Sequence, residues 1–214
     1  GIFDQDAEGL PGPGPQLVAE GRERQVQLFV VPGNAEAQVL AEVLVVADHP
    51  HHDAQAAVRY LRANAAEYGI DPGRIGAVGY SAGAITAIGV GQHPEDPGDS
   101  GTPGVSSKIC VAVSLSGIAV EGDIEADDAP VLMFHGGDDF IVPVSYARQT
   151  AWKAAVAKRL VDYVEFPKIG HTVPQQRSKE LTPELVRVLR EYLVEEALGT
   201  VGVGHDEVKD FSIL

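Results

Sequence analysis

Three short segments hold the side chains best suited to chemistry, and each follows a run of apolar residues. The first, residues 79–83, reads Gly-Tyr-Ser-Ala-Gly and matches the pattern G-x-S-x-G; it lies between the apolar run 75–80 and the small, apolar segment 82–90. A sharp turn from a strand into a helix would hold Ser81 in a strained backbone conformation, and the flanking glycines remove side chains that would collide there. The start of the helix would then offer free N–H groups to a developing oxyanion. The pattern therefore predicts a nucleophilic serine.

The other two segments carry the groups that such a serine needs. A serine hydroxyl attacks well only when a base removes its proton and a carboxylate orients that base. On a parallel sheet these partners follow later strands, in the order serine, acid, histidine. Two later apolar runs, 131–134 and 161–166, lead into turns that carry Asp138 and Asp139 in the first case and His171 in the second. The sequence thus supplies an acid and a base in the expected order.

The elements that must position these residues alternate along the chain. Apolar or alternating runs predict strands at 25–31, 39–47, 75–80, 109–115, 131–134 and 161–166. Helical periodicity predicts helices at 54–68, 82–92, 144–160 and 183–198. Because most of the strands are continuously apolar, we expect an α/β protein with a mostly parallel sheet flanked by helices. The active site of such a sheet lies beyond the carboxyl ends of its strands, where all three segments are predicted to lie.

Length and composition exclude several classes of function. The 214 residues suit a single domain over 1–214, with the Gly/Pro-rich residues 1–16 as an extended arm and 199–214 as a peripheral tail. A formal net charge of −15 would repel the phosphate backbone of nucleic acids. No apolar run approaches the ~18 residues needed to span a membrane. We therefore expect a soluble protein with no nucleic-acid partner and no membrane span.

The sequence leaves the cellular compartment and the oligomeric state open. The chain begins at Gly1 and its only methionine is Met133, which indicates a processed or trimmed product and allows for a removed signal peptide. The single cysteine, Cys110, cannot form an internal disulfide. Cysteine usage therefore fits both a cytoplasmic and a secreted protein.

The turn after run 131–134 carries a longer motif. It reads H-G-x-x-D-x-x-V-P, on His135, Gly136, Asp139, Val142 and Pro143. Together with G-x-S-x-G, the later Gly170-His171 pair and the segment 56–84, this motif resembles the α/β-hydrolase superfamily, specifically its microbial carboxylesterases and dienelactone-hydrolase-like branches. The resemblance covers about residues 40–197 and implies the α/β-hydrolase fold, while the short chain leaves little room for a large cap domain.

The resemblance implies a role for each candidate residue. Ser81 would be the nucleophile, His171 the general base and Asp139 the orienting acid, since the motif register favours Asp139 over Asp138. The N–H of Ala82, next after the nucleophile, would be one oxyanion donor. The histidine of the acid turn, at position 135, is expected to shape that turn rather than to catalyse.

One part of the family pattern is missing near the start of the chain. Esterases of this kind usually carry a second oxyanion donor in an H-G-G loop after an early strand, whereas the only His-Gly pair before His171 lies in the acid turn. Either 25–31 is that early strand and Pro32-Gly33-Asn34 replaces the loop, or the element is absent and strand 39–47 leads directly into the next helix. Loss of one oxyanion donor slows such reactions by about 10²–10³ without changing their type.

A histidine-rich segment raises the question of a metal site. Residues 48–53 read Asp-His-Pro-His-His-Asp, but they lack the i, i+4 spacing or the second ligand cluster that a closed site shows. We interpret them as a solvated loop that enters a helix. The sequence therefore predicts no metal and no cofactor.

These features together predict a serine carboxylesterase that cleaves small to medium acyl esters through an acyl-enzyme, with a small-molecule ester as its partner. One alternative is a related hydrolase of another acyl bond, such as a peptidase or a dienelactone-type enzyme. Another is a hydrolase-fold protein with weakened or no catalysis that acts by binding, for which the missing H-G-G loop is the argument. The intact set of serine, histidine and aspartate argues against the latter.

Overall fold

The computed structural model describes residues 23–32, 38–46, 50–92, 101–120 and 122–195. Its strands are β1 (Glu23–Pro32), β2 (Gln38–Val46), β3 (Ile70–Tyr80), β4 (Ala112–Leu115), β5 (Val131–Gly136) and β6 (Leu160–Phe166). Its helices are α1 (Pro50–Ala63), α2 (Ala65–Tyr68), α3 (Ala82–Gln92), α4 (Val144–Val156) and α5 (Val173–Arg190), which continues into a π-helical turn (Glu191–Glu195). The predicted arm at 1–16 and tail at 199–214 lie outside the described residues.

The described strands form one sheet in the order β2-β1-β3-β4-β5-β6. Strands β3 to β6 are parallel neighbours, and their registers place Tyr80 beside Leu115, Leu115 beside Phe134, and Gly136 beside Phe166. Parallel neighbours bring their carboxyl ends to one edge of the sheet. The predicted α/β fold with a mostly parallel sheet is confirmed, and this edge carries the three segments that the sequence analysis selected.

The hairpin β1–β2 completes the sheet, and β1 runs antiparallel to both of its neighbours, β2 and β3. Strand β1 pairs antiparallel with β3, with Val26 opposite Gly79 and Pro32 opposite Ile70. Pro32 therefore lies at the end of β3 that is far from Ser81, a direction that does not favour Pro32-Gly33-Asn34 as the oxyanion loop; Gly33 and Asn34 themselves lie outside the described residues. Strand β2 returns to the near end and precedes α1 with residues 47–49 between them, which is the order of the second alignment.

Alternate residues of the parallel strands pack into two apolar layers. Ala77, Ala112 and Met133 belong to a buried cluster shared with α1, α3 and α4. Val78 and Val113 face the other way and join a cluster shared with α5. Each fully buried aliphatic side chain contributes about 1.5–3 kcal/mol to the free energy of folding. The two layers therefore stabilise the sheet whose edge carries the site.

Two predicted boundaries differ near the nucleophile strand. Helix α1 begins at Pro50 rather than at 54; proline is favourable at a first helical position because its φ is already helical. Strand β3 begins at Ile70 rather than at 75, because pairing with Pro32 extends it. Gly69 ends α2 with a φ of 63°, a left-handed conformation that glycine adopts readily at a helix end.

The last helix begins earlier than predicted. Helix α5 starts at Val173 and contains Pro183, the residue at which the sequence predicted its beginning. It also contains a non-helical residue, Arg177, at which the axis is kinked. None of the described helices combines the length and the apolar character needed to cross a membrane.

Candidate active site

The turn between β3 and α3 presents Ser81 in a left-handed conformation. Its φ is 55°, a region that non-glycine residues enter at a cost and that clusters at functional sites. The Ser81 N–H donates to the carbonyl of Leu115 at 2.9 Å, and the Ser81 carbonyl accepts from the N–H of Ala84 at 3.0 Å. The serine is thereby tied to β4 on one side and to the first turn of α3 on the other.

Two glycines allow α3 to approach the sheet this closely. A Cβ on Gly79 would lie 2.1 Å from the carbonyl oxygen of Gly83, and a Cβ on Gly117 would lie 2.4 Å from the Cβ of Ala84. Both distances are impossible for real atoms, so each position must lack a side chain. The sequence motif identified Gly79, whereas Gly117 follows β4 and carried no signal of its own.

The side chains of Ser81, His171 and Asp139 form a continuous chain of hydrogen bonds. His171 Nε2 lies 2.7 Å from Ser81 Oγ, and His171 Nδ1 lies 2.8 Å from Asp139 Oδ2. Since a carboxylate can only accept, Nδ1 carries the proton and Nε2 is left to accept from the hydroxyl. The fold thus brings together groups that lie 90 and 32 positions apart in the sequence.

Asp139 is held by the backbone of its own turn. Its side chain is fully buried, and Oδ1 accepts from the N–H groups of Ile141 at 2.9 Å and Val142 at 3.0 Å. The other oxygen is directed at His171. The neighbouring Asp138 is exposed, and its backbone N–H donates to Ile169. Of the two carboxylates weighed in the sequence, Asp139 is the one that the structure places beside the imidazole.

The turns that carry the acid and the histidine touch backbone to backbone. A Cβ on Gly136 would lie 2.1 Å from the carbonyl oxygen of Gly170, and the N–H of Gly137 donates to the carbonyl of Phe166 at 2.9 Å. Glycine at 136 is therefore needed for the two turns to meet, which explains the glycine after the histidine in the acid-turn motif.

Two hydroxyl groups donate hydrogen bonds to the backbone of His171, and the sequence analysis identified neither of them. Ser116 Oγ donates to the His171 carbonyl at 2.9 Å, and the Tyr80 hydroxyl donates to the same oxygen at 3.2 Å. Burial, and next the charge of Asp139, raises the pKa of Tyr80, so its hydroxyl is protonated and able to donate at neutral pH. Ser116 is buried with a φ of 57°, a conformation that no local sequence pattern announced.

The sequence and the fold are similar to those of known esterases. Residues 41–101 match the sequence profile of BD-FAE, a family of α/β-hydrolase esterases. A thermophilic esterase from the Planctomycetes species Thermogutta terrifontis, solved with propionate, superposes with a TM-score of 0.59 at 24% identity, over 72% of this chain and 66% of that one. The chain shares the α/β fold of these bacterial esterases and resembles the α/β-hydrolase superfamily.

Two further comparisons define the extent of the match. A truncated carbohydrate esterase from gut microbiota has a TM-score of 0.58 at 20% identity, over 67% of this chain and 68% of that one. Uncharacterized proteins from two strains of Mycobacterium tuberculosis are 29% identical over 157 residues, which are 68% of this chain and 53% of theirs. The chain spans about half the length of these curated relatives.

Ala82, the candidate oxyanion donor, is the first residue of α3, and N–H groups of a first helical turn have no acceptor inside the helix. They also lie at the positive end of the helix dipole. Ala82 follows Ser81 directly in the chain, so its N–H lies at the end of the helix that favours a negative charge.

The histidine-rich segment forms no ligand cluster in the part of the chain that the structure describes. His51 and His52 lie in the first turn of α1 with ring centroids 4.3 Å apart. The described residues contain no group of three or more candidate ligands that could hold a metal ion. Asp48 and His49 lie outside them.

Proposed function

We propose that this protein is a serine esterase that hydrolyses small-molecule carboxylic esters with small to medium acyl groups. The observation that carries the proposal is the continuous line of contacts from Ser81 Oγ through His171 to the buried carboxylate of Asp139, at 2.7 and 2.8 Å. A nucleophile, a base in contact with it and a group that orients the base are the three parts that acyl transfer needs.

In the proposed reaction Ser81 Oγ attacks the ester carbonyl while His171 Nε2 takes the hydroxyl proton. The tetrahedral oxyanion accepts from the N–H of Ala82, and Asp139 stabilises the imidazolium that forms. His171 then gives its proton to the leaving alcohol, which leaves an acyl-enzyme on Ser81. Water, deprotonated by the same histidine, attacks the acyl-enzyme and releases the acid.

The acyl size is part of the proposal and is supported by the ligands of a structurally similar esterase. The Thermogutta terrifontis esterase is described with propionate and with butyrate bound. Short acyl groups of this kind also fit the prediction from the length of the chain. The same esterase, at 25% identity, is described as phosphorylated by paraoxon, which gives a second probe for a reactive serine.

The test compares the wild type with Ser81→Ala on p-nitrophenyl acetate, butyrate and octanoate. We expect saturable turnover that favours the shorter esters, and a loss of about 10⁶-fold in kcat in the variant, because removal of a catalytic serine costs about that much in a comparable enzyme. Paraoxon should add one diethyl phosphoryl group to the wild type and none to Ser81→Ala, as measured by intact mass. Ser106→Ala, which changes an exposed serine, is the matched control and should behave like the wild type.

One observation favours a rival function, ligand binding without catalysis. The strand beside β3 runs antiparallel, so the chain after Pro32 leaves from the far end of β3 rather than beside Ser81. The two experiments separate the functions, since a binding protein with a reactive serine takes up paraoxon but does not turn over esters. A folded wild type with neither turnover above Ser81→Ala nor an adduct would refute the esterase and the reactive serine together.

A further inference from the structure

His135, at the end of β5, is a fully buried imidazole directed at the candidate acid. Its Nε2 lies 2.9 Å from the carbonyl oxygen of Val142 and 3.3 Å from Asp139 Oδ2. Since both of these oxygens only accept, Nε2 must carry the proton. The His135 N–H therefore donates to the Val142 carbonyl, and its nitrogen lies 3.3 Å from the carboxylate oxygen that accepts from His171.

The other nitrogen of His135 gains nothing from the fold. Nδ1 is buried and has no hydrogen-bond partner among the described residues. A buried acceptor without a donor lowers stability, and an apolar side chain of similar size would avoid that cost. The imidazole is therefore a poor choice for packing alone, which directs attention to what its Nε2–H does.

Titratable groups approach His135 from three sides. Asp139 and His171 face it from the two turns, and Glu165 faces it from β6, where the two residues are register partners. Glu165 is itself paired with Arg148 of α4 at 2.7 Å. Burial lowers the pKa of His135, so the ring is neutral at pH 7 and acts on Asp139 as an oriented N–H group.

We propose that His135 is a positioning residue for the reaction at Ser81, acting through Asp139. Asp139 Oδ2 accepts from His171, while Oδ1 accepts from the backbone N–H groups of Ile141 and Val142. His135 Nε2–H donates to the carbonyl of that same Val142 and lies beside Oδ2, so it holds the turn that fixes the carboxylate and directs its dipole at the carboxylate charge. The inference rests on the proposed esterase function, because it assigns His135 a part in that reaction.

Removal of the His135 donor has two consequences. The Val142 turn loses a hydrogen bond and orients the carboxylate less firmly, so His171 is held less well and kcat falls, by about tenfold for the loss of one hydrogen bond. Without the His135 N–H beside it, the negative charge of Asp139 also acts more strongly on His171. The Asp139–His171 pair therefore takes up its first proton at a higher pH. The acid limb of kcat/KM should move to higher pH together with the midpoint of this pair.

Two variants of similar chemistry separate positioning from packing. The amide nitrogen of His135→Gln falls near the place of Nε2 and keeps a donor to the Val142 carbonyl beside Asp139, whereas the shorter His135→Asn places its amide near Nδ1 and withdraws that donor. Met133→Ala, two residues earlier on the same face of β5, disturbs the buried strand without touching Asp139. It is the control for a loss of packing.

The test measures kcat and KM for p-nitrophenyl acetate against pH, together with the NMR titration of the His171 ring, in all four proteins. We expect His135→Asn to lose about tenfold in kcat with little change in KM, and its acid limb and His171 midpoint to move to higher pH, with His135→Gln close to the wild type. An unchanged midpoint in His135→Asn, or the same shift in Met133→Ala, would overturn the proposal. Because the NMR titration needs no turnover, a failure of the esterase function and a failure of the His135 role give different results.

Discussion

Asp138 and Asp139 are adjacent in the sequence, yet only one of their carboxylates reaches His171. Asp139 is buried and accepts from the N–H groups of Ile141 and Val142, while Asp138 is exposed. Two backbone donors and one imidazole donor stabilise a charge that burial alone would disfavour. The role of each aspartate is therefore set by the hydrogen bonds that its turn offers.

This difference predicts opposite outcomes for two isosteric substitutions. Asp139→Asn should keep the fold but lower kcat by about 10⁴, because an amide can donate to His171 and favour the wrong tautomer. Asp138→Asn removes an exposed charge and should leave kcat within about twofold. Steady-state hydrolysis of p-nitrophenyl acetate measures kcat for both variants. Equal losses of kcat would contradict the assignment of Asp139 as the orienting acid.

At the scale of elements, the two ends of the parallel strands are held by different means. At the carboxyl end, the turns meet through glycines, with Gly79 against Gly83 and Gly136 against Gly170. At the amino end, Arg62 of α1 donates to the carbonyl groups of Pro72, Ser106 and Lys108, and so joins the start of β3 to the segment before β4. The contacts at the glycines position the site, whereas the hydrogen bonds of Arg62 only stabilise the sheet.

Arg62→Ala should therefore lower stability without changing the chemistry. Three carbonyl groups lose their donor, and a loss of about 1–3 kcal/mol in the free energy of unfolding is expected, with kcat unchanged. Urea unfolding and esterase assays on the same preparations measure the two effects. Lys179→Ala, an exposed substitution on α5, serves as the control and should change stability by less than about 0.5 kcal/mol; a comparable loss of kcat in Arg62→Ala would contradict the separation of the two ends.

At the scale of the whole molecule, acid should weaken the fold, and His135 is one identified cause. Burial lowers the pKa of His135, so the unfolded chain binds a proton on this residue at a pH where the folded chain does not. The contribution of His135 to the free energy of unfolding is therefore fully present at high pH. It is lost as the pH falls below the ordinary histidine value of about 6.5.

His135→Gln should flatten this dependence. Below about pH 6.5, one such histidine contributes a slope of up to about 1.4 kcal/mol per pH unit, and glutamine has no proton to bind. Urea unfolding at several pH values from neutral to mildly acidic measures the slope, with Met133→Ala as a control that lowers stability at every pH. An equal slope in the wild type and His135→Gln would show that other groups govern the acid sensitivity.

The sequence by itself determined the features that depend on neighbouring residues. Gly79 and Ser81, the helix after them, the acid-turn motif and the Gly170-His171 pair could all be read because steric demands at a turn act on residues next to each other in the chain. Alternation and continuous apolar runs likewise predicted the strands and a mostly parallel sheet. Boundaries such as the start of β3 were less accurate, since strand pairing extended them.

Only the tertiary structure decided the features that depend on residues far apart. The hydroxyl groups of Ser116 and Tyr80 on the His171 carbonyl, and the close approach of Gly117 to Ala84, join segments that are far apart in the sequence. The antiparallel direction of β1 likewise depends on the tertiary structure. The pattern of apolar residues in a strand does not indicate its direction relative to its neighbours. Strand order and direction set these contacts, and both are properties of the whole sheet.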